Sequence, residues 1–362
     1  MSLYGQAINK RQKTAREVNK NFDGNEFFPG LSHVEYRPDA GPEDTLCYRY
    51  YNASERIHGR TMEEWLRPSV SFWHAFCYAG VKYWTAYDHD IAPEGDTLED
   101  TNHNLDEVCE VILELQQRTG VKPLWIASNL HSHPRYMKGA TTSSEVQVVA
   151  FAGAQLKKSL EVTQKLGGEC FLFRSTREGY ASVLNTDIQR ELRNYSRLLK
   201  MIHGQLLMES YNRNDNASNY KDLKWGEAPQ YQYNWDAMSS LCFLKHYNLD
   251  RYFKLSVPPG HQLLITSMYG MLGSLDVTPQ MCRPNIRDAT LLMKTVIEQG
   301  GMQPGGLNIG VPLHRESTDL KDLMVAYVSY IDIYARGLRN AAKIVSDGVF
   351  TKNLQVNYKL WQ

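Results

Sequence analysis

The sequence predicts a parallel (β/α)8 barrel, and three observations predict it. Eight apolar runs of strand length occur along the chain, at 72–77, 83–87, 123–127, 170–174, 205–209, 254–257, 274–277 and 305–309. Segments of helical periodicity separate most of them, and alternating strand and helix patterns point to a parallel sheet with crossover helices. The length, 362 residues, accommodates one such barrel plus extensions.

Residues 1–24 are a polar extension in which Lys10, Arg11, Lys13, Arg16 and Lys20 outnumber the acids Glu17 and Asp23. The remainder, 25–362, reads as one barrel domain. RPDAGPED at 37–44 is a turn-forming loop, and Thr61 with Glu64 has the capping-box spacing that opens a short helix. After Thr97, the residues Leu105, Val108, Ile112 and Leu115 line one helical face until Gly120 stops the helix. A helix from Ser143 ends at Gly167-Gly168, and one from Asp187 ends at Gly204. Further helices fit 236–247, 262–271, 287–299 and 319–346, and the one after the sixth run is short. Between Phe76 and Tyr83 there is no room for a crossover helix, since parallel neighbours need about a dozen connecting residues or more. Either the first two runs are not adjacent strands, or the barrel wall is rebuilt there and its first crossover helix is reduced or missing.

Composition excludes several classes. Lys+Arg and Asp+Glu each count 40, so the chain lacks the positive excess of a phosphate-backbone binder and no nucleic-acid partner is expected. The longest apolar stretch, Val146 to Leu156, is too short to cross a bilayer, and the N-terminus has no apolar signal core. The six cysteines are scattered without C-x-x-C spacing and read as reduced, mostly buried thiols of a cytoplasmic protein.

In a barrel of this kind the working residues stand at the C-terminal ends of the strands. Those ends carry Asp88, Asp90, Glu209, Pro258, His261, Asp276 and Gly310, and converging carboxylates suit a hard divalent cation. His131-Ser132-His133 places two imidazoles on one face of an extended segment, but with no third ligand in view it reads as a polar loop with solvated histidines.

The segments WHAFC, DHDIAPEG, KLGGE…REGY…LNTD, GSLD and GGLN…RxSTDxxDL, with FFPG at 27–30 before them, resemble the xylose isomerases in content and order. That resemblance implies two divalent metals (usually Mg²⁺, Mn²⁺ or Co²⁺) that shift a hydride between C1 and C2 of an aldose. It implies metal-ligand positions at Glu209, Pro258, His261, Asp276 and Gly310, of which Glu209, His261 and Asp276 keep a donor, while Pro258 and Gly310 have lost one. It places Tyr211 where the family has a carbonyl-polarising lysine, Tyr87 where it has the ring-opening histidine, and Asp90 as that histidine's orienting carboxylate. Trp73 and Trp125 match tryptophans of the sugar pocket, though core packing accounts for them equally well. Relative to the family, residues 212–230 are an inserted polar loop and the C-terminal oligomerisation arm is missing, so the family-type tetramer is not expected.

So many replacements at the metal positions lead to the expectation of a catalytically inactive barrel. Such a barrel would be a structural or interaction protein meeting other proteins through the N-terminal extension and the 212–230 loop, with no cofactor. A cytoskeletal or ciliary assembly is one setting for such a component. The alternatives are a sensor that binds a sugar or a single metal, and a residual aldose–ketose isomerase dependent on Mg²⁺ or Mn²⁺.

Overall fold

The computed structural model describes residues 33–71, 79–174, 176–202, 206–209, 231–277, 285–311 and 319–359, with the backbone alone for 206–209. The N-terminal extension, FFPG, Trp73, Tyr211 and the 212–230 loop therefore lie outside the described residues.

Local chemistry starts and stops the helices as the sequence indicates. Helix α1 (Met62–Leu66) opens on a complete capping box, with Thr61 Oγ1 accepting from the Glu64 amide at 3.1 Å and Glu64 returning the bond to Thr61 at 2.7 Å. A single turn, α2 (Asp88–Ile91), precedes α3 (Leu98–Thr119), which Thr97 caps and Gly120 ends at φ 71°. Then come α4 (Val146–Lys165), α5 (Ile188–Met201) capped by Asp187, α6 (Ala237–His246) capped by Asp236, and the short α7 (His261–Met268). Helix α8 (Ile286–Gln299) is capped by Asn285, and α9 (Leu320–Asp347) by Asp319. A left-handed turn at Gly348, φ 63°, leads into α10 (Val349–Asn357), a helix with no buried residue.

The barrel strands are β1 (Ser69–Val70), β2 (Tyr83–Tyr87), β3 (Lys122–Ala127), β4 (Cys170–Phe173), β5 (Leu206–Glu209), β6 (Phe253–Val257), β7 (Leu272–Val277) and β8 (Leu307–Ile309). Each pairs in parallel with its neighbour in sequence, and β8 pairs with β1 through Asn308↔Ser69 to close the ring. The described part of the first barrel strand is 69–70, and the apolar run at 72–77 that follows it lies outside the described residues. The strands β1 and β2 are adjacent, joined through 71–82, of which 72–78 lie outside the described residues.

Strand alternation sorts the core into two clusters. Phe171, Phe173, Leu255, Val257, Leu307 and Ile309 face the helix sleeve. Tyr83, Leu124, Trp125, Ala127, Cys170 and Leu172 form a separate cluster, with Tyr87 against it, in the barrel interior. The opposite half of that interior is small and polar, with Ser69, Ser256, Ser274, Asp276 and Asn308 all buried. At the N-terminal end Arg67 donates to Glu169 at 2.8 Å, Lys122 pairs with the same carboxylate, and the Arg67 guanidinium lies 5.2 Å above the Tyr83 ring. Outside the wall, α8 and α9 approach so closely at Gly337 that a Cβ there would sit 2.8 Å from the Ala289 carbonyl carbon. Asp332 of α9 accepts from the amides of Arg49, Tyr50 and Tyr51 at 2.8–3.0 Å, binding the N-terminal segment to the barrel. No helix among the described residues is long and apolar enough to cross a membrane. Cys47, Cys109 and Cys170 are buried and Cys242 is exposed, all as free thiols.

Candidate functional site

The C-terminal mouth gathers side chains from opposite sides of the ring. Tyr87 ends β2, Arg174 directly follows β4, Asp276 is the penultimate residue of β7, and Asn308 lies in β8. Arg174 Nη2 donates to Asp276 Oδ2 at 2.9 Å, and its Nη1 donates to the Tyr87 hydroxyl. The same guanidinium lies 5.4 Å from the centre of the Tyr87 ring. The other Asp276 oxygen accepts from Asn308 Nδ2 at 2.8 Å, and Asn308 Oδ1 accepts from Thr85 Oγ1 at 2.8 Å and Ser71 Oγ at 3.1 Å. A hydrogen-bonded chain therefore crosses the mouth from β2 to β8, with one buried carboxylate, 7% exposed, at its centre.

His131 packs edge-on against Tyr87, ring centres 5.4 Å apart. Burial, with the nearby Arg174, Arg177 and His89 charges, pushes its imidazole down to about 3. The expectation of solvated histidines is corrected, because His131 is partly buried against the site. His133 instead turns its Nδ1 to accept from Arg135, at 3.1 Å from the amide and 2.9 Å from Nε. A histidine neutral in the fold and chargeable when unfolded makes the unfolded state the better proton binder between about pH 6.5 and 3, so stability falls as pH falls through that window. At pH 5 the difference reaches up to about 2 kcal/mol. Urea midpoints measured from pH 7 to 4.5 should fall less steeply for His131→Phe than for the parent; parallel slopes would remove His131 as the cause.

Asp88, read from the sequence as a strand-end carboxylate that suits a cation, is fully engaged in holding loops. It accepts from the amides of His89 and Asn129 at 2.9 and 2.8 Å, Gln155 Nε2 at 2.8 Å and Ser159 Oγ at 3.1 Å. Asp90 accepts from the Tyr87 amide at 3.1 Å, so the carboxylate matched to an orienting role holds backbone. Trp125 is 4% exposed within the interior cluster, where core packing accounts for it.

The metal positions implied by the resemblance can be tested against this geometry. Glu209 ends β5 with its backbone paired to Ser256, and its side chain lies outside the described ones. His261 is exposed at the first turn of α7, Pro258 is buried without a donor, and Gly310 has no side chain. Both oxygens of Asp276 are already engaged by Arg174 and Asn308. Among the described residues no three His, Cys, Asp or Glu side chains converge as a metal would require. In this arrangement the described donors do not fit a divalent cation. Arg174, Asn308 and His131 were not singled out from the sequence. The available signal was Arg174 itself, the charged end of the run CFLFR at a strand's C-terminal tip.

The chain matches no family model. It is 36% identical over 403 residues to the xylose isomerase of Arabidopsis thaliana, covering 93% of this chain and 81% of that protein. The xylose isomerase of Hordeum vulgare is 36% identical over 92% of this chain and 81% of its own length. That of Thermotoga maritima is 34% identical, covering 92% of this chain and 87% of its own. Among solved structures, D-psicose 3-epimerase from Clostridium cellulolyticum H10 superposes with a TM-score of 0.53 at 10% identity, covering 75% of this chain and 99% of its own. L-ribulose 3-epimerase gives 0.50 at 14%, covering 77% and 96%; at such identities these two likenesses show the fold alone. Two expectations are overturned by the sequence relatives. The chain read as an inactive scaffold matches, over more than nine-tenths of its length, proteins named as enzymes. The expectation of no cofactor falls with it.

Proposed function

This chain belongs to the xylose isomerase family, and on that premise we propose that it binds an aldose at the C-terminal mouth of the barrel and interconverts it with the ketose in a metal-dependent reaction. One observation carries the reading: the match runs at 33–36% identity across more than 90% of the chain, so it includes the barrel and the mouth rather than a fragment of either. The strand ends agree with it in part, since Asp276 occupies the mouth as a buried carboxylate beside Tyr87. Tyr87 and Tyr211 stand where the resemblance implies a histidine and a lysine, so the proposal assigns a reaction class and no order of proton steps.

The test is ketose formation by purified protein from D-xylose and D-glucose with Mg²⁺, Mn²⁺ or Co²⁺. We expect turnover that chelation removes and that drops to background in Asp276→Asn and Glu209→Gln. No ketose from either sugar with any of the three metals would overturn the proposal, whether or not the sugar binds.

A further inference from the structure

A cavity of about 460 Å³ opens on the outside of the barrel, between the hairpin at 56–61 and the C-terminal half of α9. It shares no residue with the mouth. We propose that it binds a sugar phosphate: Arg56, Lys343 and Ser346 hold the phosphate group, and Glu55 receives hydroxyls of the sugar.

Charge and shape carry the argument. Arg56, Arg339 and Lys343 line the cavity as cations, and Glu55 is the one acid among its described lining residues. Glu55 is already committed to Arg339, whose Nε donates to its two oxygens at 3.0 and 3.1 Å and whose Nη2 donates to Oε2. Arg56 and Lys343 are the surplus. Arg56 Nη1 donates to the Gly59 carbonyl at 3.1 Å, which carries no full negative charge, and Lys343 pairs with no acid among the described residues. Along α9, Arg339, Lys343 and Ser346 recur at i, i+4 and i+7 and so share one face, with two like charges one turn apart. An anion lying over that face replaces the repulsion by attraction.

The hairpin brings His58 to the same cavity. His58 and Gly59 form its turn at φ 46° and 82°, left-handed at both central positions, where asparagine and glycine are the usual pair. The imidazole reaches across to the Ala342 carbonyl at 3.2 Å, and because a carbonyl only accepts, Nε2 carries the proton. Ser346 Oγ stands 3.4 Å from that nitrogen, where it accepts, so its own hydroxyl proton is left to donate to a ligand. These contacts hold the hairpin and α9 at a fixed spacing. The described lining has no tyrosine, phenylalanine or tryptophan on which a base would stack, whereas the Glu55 carboxylate keeps lone pairs for hydroxyl groups. A phosphorylated sugar suits that set better than a nucleotide.

The experiment is calorimetric titration of the purified full chain with D-ribose 5-phosphate, D-ribose, inorganic phosphate and AMP. Ribose 5-phosphate should bind about tenfold or more tighter than inorganic phosphate, with ribose alone weaker than either. Arg56→Ala and Lys343→Ala alter exposed side chains and should fold as the parent does. Each should weaken ribose 5-phosphate about tenfold or more, the loss expected when a charged hydrogen-bond partner is removed. Hydrogen exchange supplies a local readout, slowing at the 57–60 amides when the ligand is added. No binding of ribose 5-phosphate, or binding that both variants retain at parental strength, overturns the proposal. Equal affinity for inorganic phosphate, or tighter binding of AMP, overturns the sugar phosphate as the ligand.

Discussion

Replacing Asp88 by alanine should lower the stability of the fold by about 3–5 kcal/mol, among the largest losses expected of any single change in this chain. Asp88 is 2% exposed and receives four hydrogen bonds, from the chain just after β2, the loop after β3, and two side chains of α4. With the carboxylate gone, the Asn129 amide loses its acceptor and Gln155 Nε2 keeps the Asn129 carbonyl at 3.2 Å but not its charged partner; a buried donor left without an acceptor costs about 1–3 kcal/mol. Asp88→Asn should cost less, since one oxygen survives while its NH2 confronts donors. Urea unfolding monitored by tryptophan fluorescence measures both, and a loss below about 1 kcal/mol in Asp88→Ala would mean that water takes over the carboxylate's role.

Glu178→Ala should act on a similar scale, about 3–5 kcal/mol, but more locally. This carboxylate, 1% exposed, is cradled by three successive amides, those of Ala140 and Thr141 on one oxygen and Thr142 on the other at 2.9–3.0 Å, and by the Thr142 hydroxyl. Consecutive amides pointing inward form a concave anion site, and here the anion comes from the loop after β4. Gly139 is part of the device: at φ 86° a Cβ there would lie 2.8 Å from Glu178 Oε2. Removing the carboxylate should free the 139–142 turn, so hydrogen exchange at the Thr141 and Thr142 amides should accelerate beyond the global change. Exchange that rises uniformly across the barrel would argue against a local clamp.

What the sequence showed well was whatever depends on short-range chemistry. Thr61, Thr97 and Asp187 announce helix starts because a cap is a contact between residues three apart, and Gly120 announces a stop because only a left-handed turn fits there. Seven of the strand runs lie on strands because buried parallel strands are apolar throughout. The first run, 72–77, lies outside the described residues, and the Ser69–Val70 strand beside it went unread because its pairing is settled by partners far away in the chain. The site was legible only in part for the same reason. Asp276 could be named from its place at a strand end, but its partner Arg174 lies 102 residues earlier and meets it only when the ring closes. His131 looked like a surface residue because nothing nearby in sequence reveals that Tyr87 will cover it.

The knot of Arg67, Glu169, Lys122 and Tyr83 closes the end of the barrel opposite the mouth. Its members belong to the approaches and first residues of strands, whereas Tyr87, Arg174 and Asp276 belong to their exits. One protein therefore offers two construction sites with separate tolerances. At the exit end only the stretches between the Asp88 and Glu178 clamps are open to grafting or randomisation, because those two carboxylates hold the surrounding loops in place. The entry end is the foundation to be left untouched in such a library, because a lost charge there would eliminate folded members before any of them met a substrate.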